Sequence, residues 1–94
     1  MSDAPDSAYE KFVGHNVIIR TVTMHLTGTL VAVHPQELEL ADASWVASSG
    51  RWAQALRTGK LSEVEPFPEG PVIVGRGALI DMALWTHLLP RETL

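Results

Sequence analysis

Histidine stands at His15, His25, His34 and His87, and no two of these share a metal-ligand spacing. There is no His-Glu-x-x-His step and no cysteine, so a metal centre has no sequence support. Ser48-Ser49 has no base beside it, and Glu37 and Glu39 alternate with leucines as a solvated strand face would. Gly75-x-Gly77 is too short to cradle a phosphate. Nothing here supplies a nucleophile with its base, so the expectation is a protein that is not an enzyme and carries no cofactor. The residues that remain are planar or cationic. Arg76-Gly77 stands between two apolar runs, and His34-Pro35-Gln36 interrupts another. Trp45, Arg51, Trp52, Arg57 and Lys60 fall in the acid-free window 43–62. Cations beside tryptophans can contact phosphates and stack on bases, so binding of single strands is the chemistry this window could do.

Eleven acids against seven Lys and Arg give a formal net charge of −4, which weighs against a protein that coats nucleic acid without specificity. Ninety-four residues make one domain, 1–94, that buries only about 64% of its unfolded surface, so subunit contacts would help it. No apolar run approaches the roughly 18–20 residues that span a bilayer, and MSDAPDSAYEK is too acidic for a signal peptide. A soluble, cytoplasmic protein with no membrane partner is the expectation.

The elements that must position these residues follow from pattern. Residues 5–13 read as a short helix, with Pro5 in its first turn and Gly14 as its stop, after a flexible 1–6. NVIIRTV (16–22) is a β-branched strand, Thr23-Met24 a turn, and Leu26 begins a longer strand. Gly28 inside that strand predicts a sharp bend or a close approach of backbone. His34-Pro35 ends it, and ELELAD (37–42) alternates with Leu38 and Leu40 inward. Residues 43–71 read as a long irregular connection, with a turn or two of helix capped by Ser49 and stopped at Gly59. The Pro-rich 63–71 within it cannot be a central strand. VIVG (72–75) is a strand. Residues 78–89 suit a helix by composition and a strand by alternation, and pattern alone leaves both open. Residues 87–94 form a tail.

Two blocks, 27–40 and 72–85, carry a resemblance. Gly28-Thr29-Leu30 resembles the Gly-x-Leu of strand 2 in the Sm/Lsm/Hfq family. Leu38, Leu40 and Asp42 resemble its strand 3, and Arg76-Gly77-x-x-Ile80 its Arg-Gly-x-x-Ile. The likeness covers about residues 7–86. His34 stands where the family usually carries Asp, the polar base-binding pair after it is missing, and the segment between strands 3 and 4 is long. The resemblance implies a mainly β fold: an N-terminal short helix, then five strongly bent antiparallel strands closing a small SH3-type barrel. It also favours a strand at 78–85. It further implies a homo-oligomeric ring of roughly five to seven copies, closed by symmetry. Single-stranded RNA would bind at turns facing the pore, with Arg76 and Gly77 on one and His34 and Gln36 on the other. Trp45, Arg51, Trp52, Arg57 and Lys60 form a second candidate RNA contact. The competing reading is a structural or assembly ring, of the kind phages use, that keeps the barrel without RNA binding.

Overall fold

The computed structural model describes residues 8–93, so the flexible 1–6 and the helix start at 5–7 lie outside the described residues. Six strands follow a 3₁₀ turn over Ala8–Phe12: β1 (Asn16–Thr21), β2 (His25–Val33), β3 (Glu37–Ser48), β4 (Glu63–Pro66), β5 (Val72–Gly75) and β6 (Leu79–Leu84). One α-helix, α1 (Trp52–Thr58), separates β3 from β4, and a second 3₁₀ turn, Arg76–Ala78, joins β5 to β6. The fold is mainly β and wholly antiparallel, with neighbours in the order β4-β3-β2-β1-β6 and β5 also paired to β3.

β1 is built from Val17, Ile18 and Ile19, whose branched Cβ atoms fit a pleated surface, and all three are at most 1% exposed. Burial of consecutive residues means that both faces of the strand are covered. The turn into β2 is held by Thr21. Its hydroxyl accepts from the Met24 amide at 3.0 Å, and its own amide donates to the Met24 carbonyl at 2.8 Å.

The bend comes at Gly28. Thr27 pairs with Ser44 and Thr29 with Ala41, so Asp42 and Ala43 together face one glycine, and Asp42 takes a φ of 52°. This is a β-bulge, which kinks β3 over β2. The expectation of a close backbone approach at Gly28 holds. A Cβ there would lie 3.1 Å from the Ala41 carbonyl oxygen and 3.2 Å from Ala43 Cα.

Other expectations need correction. There are six strands, not five, and no pairing joins β6 to β4 or β5 among the described residues, so the sheet is not closed into a barrel. The cause lies in Pro66, Pro68 and Pro71. None has an amide to donate, and the fourth strand is therefore split into two four-residue pieces on different parts of β3. Residues 43–48, read as irregular, continue β3 because β2 pairs with them on one side and β4 on the other. Ser49 does not cap α1: the N-cap is Arg51, without a side-chain cap bond. Gly59 does stop it, with φ 78° and its amide donating to the Ala55 carbonyl at 2.8 Å. The N-terminal helix is a 3₁₀ turn in its described part. Residues 79–84 are a strand, since pairing with β1 outweighs their helix propensity.

The apolar core lies on one face of the sheet, and a second set of buried residues lies on the other. Val17, Ile19, Leu26, Leu30, Leu38, Leu40, Ala43 and Val74 pack as the inner core. Ile18, Thr27, Ser44, Val46 and Val64 are buried on the other face, each on a strand position alternate to an inner one. Ala55 of α1 and Trp85 are also buried, and the chain after β6 ties α1 and β3 together. The His87 ring nitrogen lies 2.8 Å from the Leu56 carbonyl, Trp85 Nε1 donates to the Leu88 carbonyl at 3.1 Å, and Ser44 Oγ donates to the Pro90 carbonyl at 3.2 Å. Both the long connection and the tail thus have a structural task on the outer face.

Candidate functional site

The two turns singled out by sequence meet. β5 runs beside the start of β3, with Glu37 opposite Gly75, and this register sets residues 34–36 against 76–77. The Arg76 amide donates to the Gln36 carbonyl at 2.8 Å. Its guanidinium Nη1 donates to the carbonyls of His34 at 2.6 Å and Pro35 at 3.1 Å. The same guanidinium lies over the Tyr9 ring, 4.8 Å from its centroid. Arg76 is therefore a tie between turns, half-buried, rather than an arginine extended into solvent.

His34 is half-buried, and its Nε2 sits 3.1 Å from Glu39 Oε1. Pro35 and Gln36 are exposed. Gly77 is exposed too, and nothing lies within 4 Å of where its Cβ would be. It is absent from the positive-φ glycines, so neither space nor backbone angle demands glycine at 77. The four residues proposed for RNA contact thus share one end of the sheet. Tyr9 as a neighbour of Arg76 has no local signal in the sequence.

The second set does not form one surface. Val46 is opposite His25 and Trp45 is opposite Leu26, so successive residues of β3 place Trp45 on the inner-core face and Val46 on the outer face. Trp52 belongs with His25: their rings meet edge-on at 5.1 Å, and the Arg20 guanidinium lies 4.7 Å above the Trp52 ring. One tryptophan ring is thereby already occupied. Arg51 and Lys60 line a cleft beside α1, and Arg57 is exposed outside that lining.

Arg20 and Asp81, across β1 and β6, were not anticipated. Arg20 Nε donates to both Asp81 oxygens, at 2.9 and 3.0 Å, and its Nη2 pairs with Oδ2. The hydrogen bond from Arg20 holds the Asp81 carboxyl below the usual carboxylate range and raises Arg20 in turn. Burial lowers the His25 pKa, and the Arg20 charge adds to that effect. A separation of 61 residues left no local signal for this pair.

Among the described residues no three of His, Asp or Glu gather where an ion could be held, and no helix is long and apolar enough to cross a membrane. A groove of about 370 Å³ opens between β5 and the β1–β2 turn, lined by Met24, Leu26, Phe67, Ile73 and Ala78 among others. Compared with known proteins, the chain matches no protein-family model and no curated relative.

Proposed function

We propose that the chain is an Sm-like subunit that assembles with copies of itself into a ring and binds single-stranded RNA at the joined turns 34–36 and 76–77. One observation carries the reading: Arg76 ties the two turns into a single unit, so His34, Gln36 and the Arg76 guanidinium are offered together at one end of the sheet. An imidazole and a guanidinium plane beside an amide are the groups that stack on and read an unpaired base. The wholly antiparallel strands after a short N-terminal turn and the bend at Gly28 support the Sm-like reading that the motifs suggest. Assembly is supported by the edges. Among the described residues β4 and β5 pair only with β3 and β6 only with β1, and these strands carry Ile73 and Ile80, 56% and 60% exposed. Such edges invite pairing, and a closed ring satisfies them without leaving one open. On this reading the protein acts without catalysis or cofactor, in the cytoplasm.

A structural ring without RNA binding is the second reading, and a specific observation favours it. The Arg76 guanidinium already serves two carbonyls and Tyr9, and Glu39 sets a carboxylate beside His34 where a phosphate would be repelled.

Light scattering and filter binding of oligo-U and oligo-A decide between these. The RNA reading expects a ring that binds one of the oligomers and loses about 1–3 kcal/mol of binding in His34→Ala or Gln36→Ala, the range of one base contact. A ring that binds neither oligomer leaves the structural reading, and a stable monomer at micromolar concentration rejects both. Arg76→Ala is the weaker probe, since losing its bonds to the turn would also disturb the fold.

A further inference from the structure

The window 43–62 holds Arg51, Arg57 and Lys60 and no acid, and the fold separates these cations. Arg51 precedes α1 and Lys60 follows it, and both line one cleft of about 180 Å³ that contains no carboxylate. Ser49, Gln54 and Ser62 supply polar groups to the same lining. Neither Arg51 nor Lys60 has an acidic partner among the described residues, where the ion pairs are Arg20–Asp81 and His34–Glu39. Two unneutralised cations on one concavity repel each other and raise its positive potential, and a bound anion reverses that cost.

Donors are in reserve as well. The Ser62 hydroxyl makes no hydrogen bond among the described residues, although its amide donates to the Ser48 carbonyl at 3.0 Å and so fixes it beside the cleft. Gly50, at φ 68°, lets the backbone pass where a Cβ would fall 2.9 Å from Ser62 Oγ. That close passage keeps the hydroxyl and the start of α1 on one small opening. The attraction arises from side-chain cations, not from the end of a seven-residue helix.

We propose that this cleft binds a phosphate group, either free or as the diester of a single-stranded nucleic acid. The Arg51 fork would take two oxygens, Lys60 would add a point charge, and the Ser62 hydroxyl would donate to a third oxygen. The site is distinct from the joined turns and does not depend on RNA binding there.

An amide NMR titration with inorganic phosphate at constant ionic strength tests it. Saturable shifts are expected at Gly50, Arg51, Lys60 and Ser62. Affinity should fall roughly tenfold in Arg51→Gln or Lys60→Gln alone and roughly a hundredfold in Arg51→Gln/Lys60→Gln, since each removes a charge-assisted contact worth about 1.4 kcal/mol or more. Arg57→Gln should bind as the parent does. Both cations are exposed and without acidic partners, so the double variant should melt like the parent. A competing oligo-U that displaces phosphate from these amides would assign the site to the nucleic-acid backbone, and phosphate shifts that oligo-U leaves untouched would assign it to free phosphate. Oligonucleotide binding that persists in the double variant while phosphate binding is lost supports the cleft and places the RNA elsewhere. Absence of saturable shifts, or full phosphate binding by a folded double variant, overturns the proposal.

Discussion

Gly28→Val should destabilise the domain strongly, and the structure says by how much. A Cβ at position 28 would lie 3.1 Å from the Ala41 carbonyl oxygen, 3.2 Å from Ala43 Cα and 3.3 Å from Ala43 Cβ. Two of those three atoms are backbone, so relief requires β3 to move at its bulge and not merely a side chain to turn. Overpacking a tight interior costs about 1–3 kcal/mol, while losing glycine's freedom in the unfolded chain returns about 0.4–1 kcal/mol. Gly28→Ala should then be near neutral to about 2 kcal/mol destabilising. Valine adds two more methyl groups against the same wall, which puts it at about 2–3 kcal/mol. In a domain of this size each kcal/mol moves the melting temperature by about 4–8 °C, so the loss should be about 8–24 °C. Circular dichroism melts at one fixed protein concentration read this directly, because assembly makes melting concentration-dependent. A Gly28→Val protein that melts within about 2 °C of the parent would refute the bulge contact and, with it, the bend.

Thr27 is fully buried with a hydroxyl that has no partner among the described residues, so Thr27→Val should stabilise by about 1 kcal/mol in urea titration. A loss of stability would show that the hydroxyl is bonded after all. Gly59→Ala forces φ 78° on a side-chain residue and sets a Cβ 2.6 Å from His87 Cγ. It should cost at least about 1–2 kcal/mol and alter tryptophan fluorescence, as His87 lies edge-on to Trp85 at 4.9 Å; unchanged emission and melting would count against the packing of α1 on the tail. His25 should titrate below the ordinary histidine value of about 6.5 in an NMR pH series. Its depressed folded pKa means that the unfolded chain takes the proton first, so stability present above about pH 6.5 declines as pH falls toward the folded midpoint. A midpoint at or above 6.5 would remove the burial argument.

The fold was legible where local chemistry decided it. β-branched residues at 17–19 gave a strand, alternation at 37–40 gave its inward leucines, and Gly28 gave the bend. It failed where a distant partner decided. Residues 43–48 look irregular until β2 and β4 pair with them from either side, and the helix-like composition of 79–84 yields to β1. Ser49 reads as a cap by type, yet α1 begins after Arg51. The candidate site shows the same division. Its turns could be named from Pro35 and from Arg76-Gly77, but their meeting depends on the β3–β5 register, and Tyr9 reaches Arg76 from the far end of the chain.

The pairing of β1 with β6 has a kinetic consequence. β1, β2 and β3 form a meander joined by short turns, so their contacts close small loops. The opposite side of β1 waits for a strand that arrives 61 residues after Arg20. Contacts this remote form late, because their loop entropy must be met before they return any stability. During synthesis, then, Val17 and Ile19 stay open along one edge until residue 84 has left the ribosome, and a nascent chain halted before that point presents an apolar strand to whatever is nearby. Pulsed hydrogen exchange during refolding should protect the β2–β3 amides before those of β6, and simultaneous protection would mean that the sheet condenses as one unit.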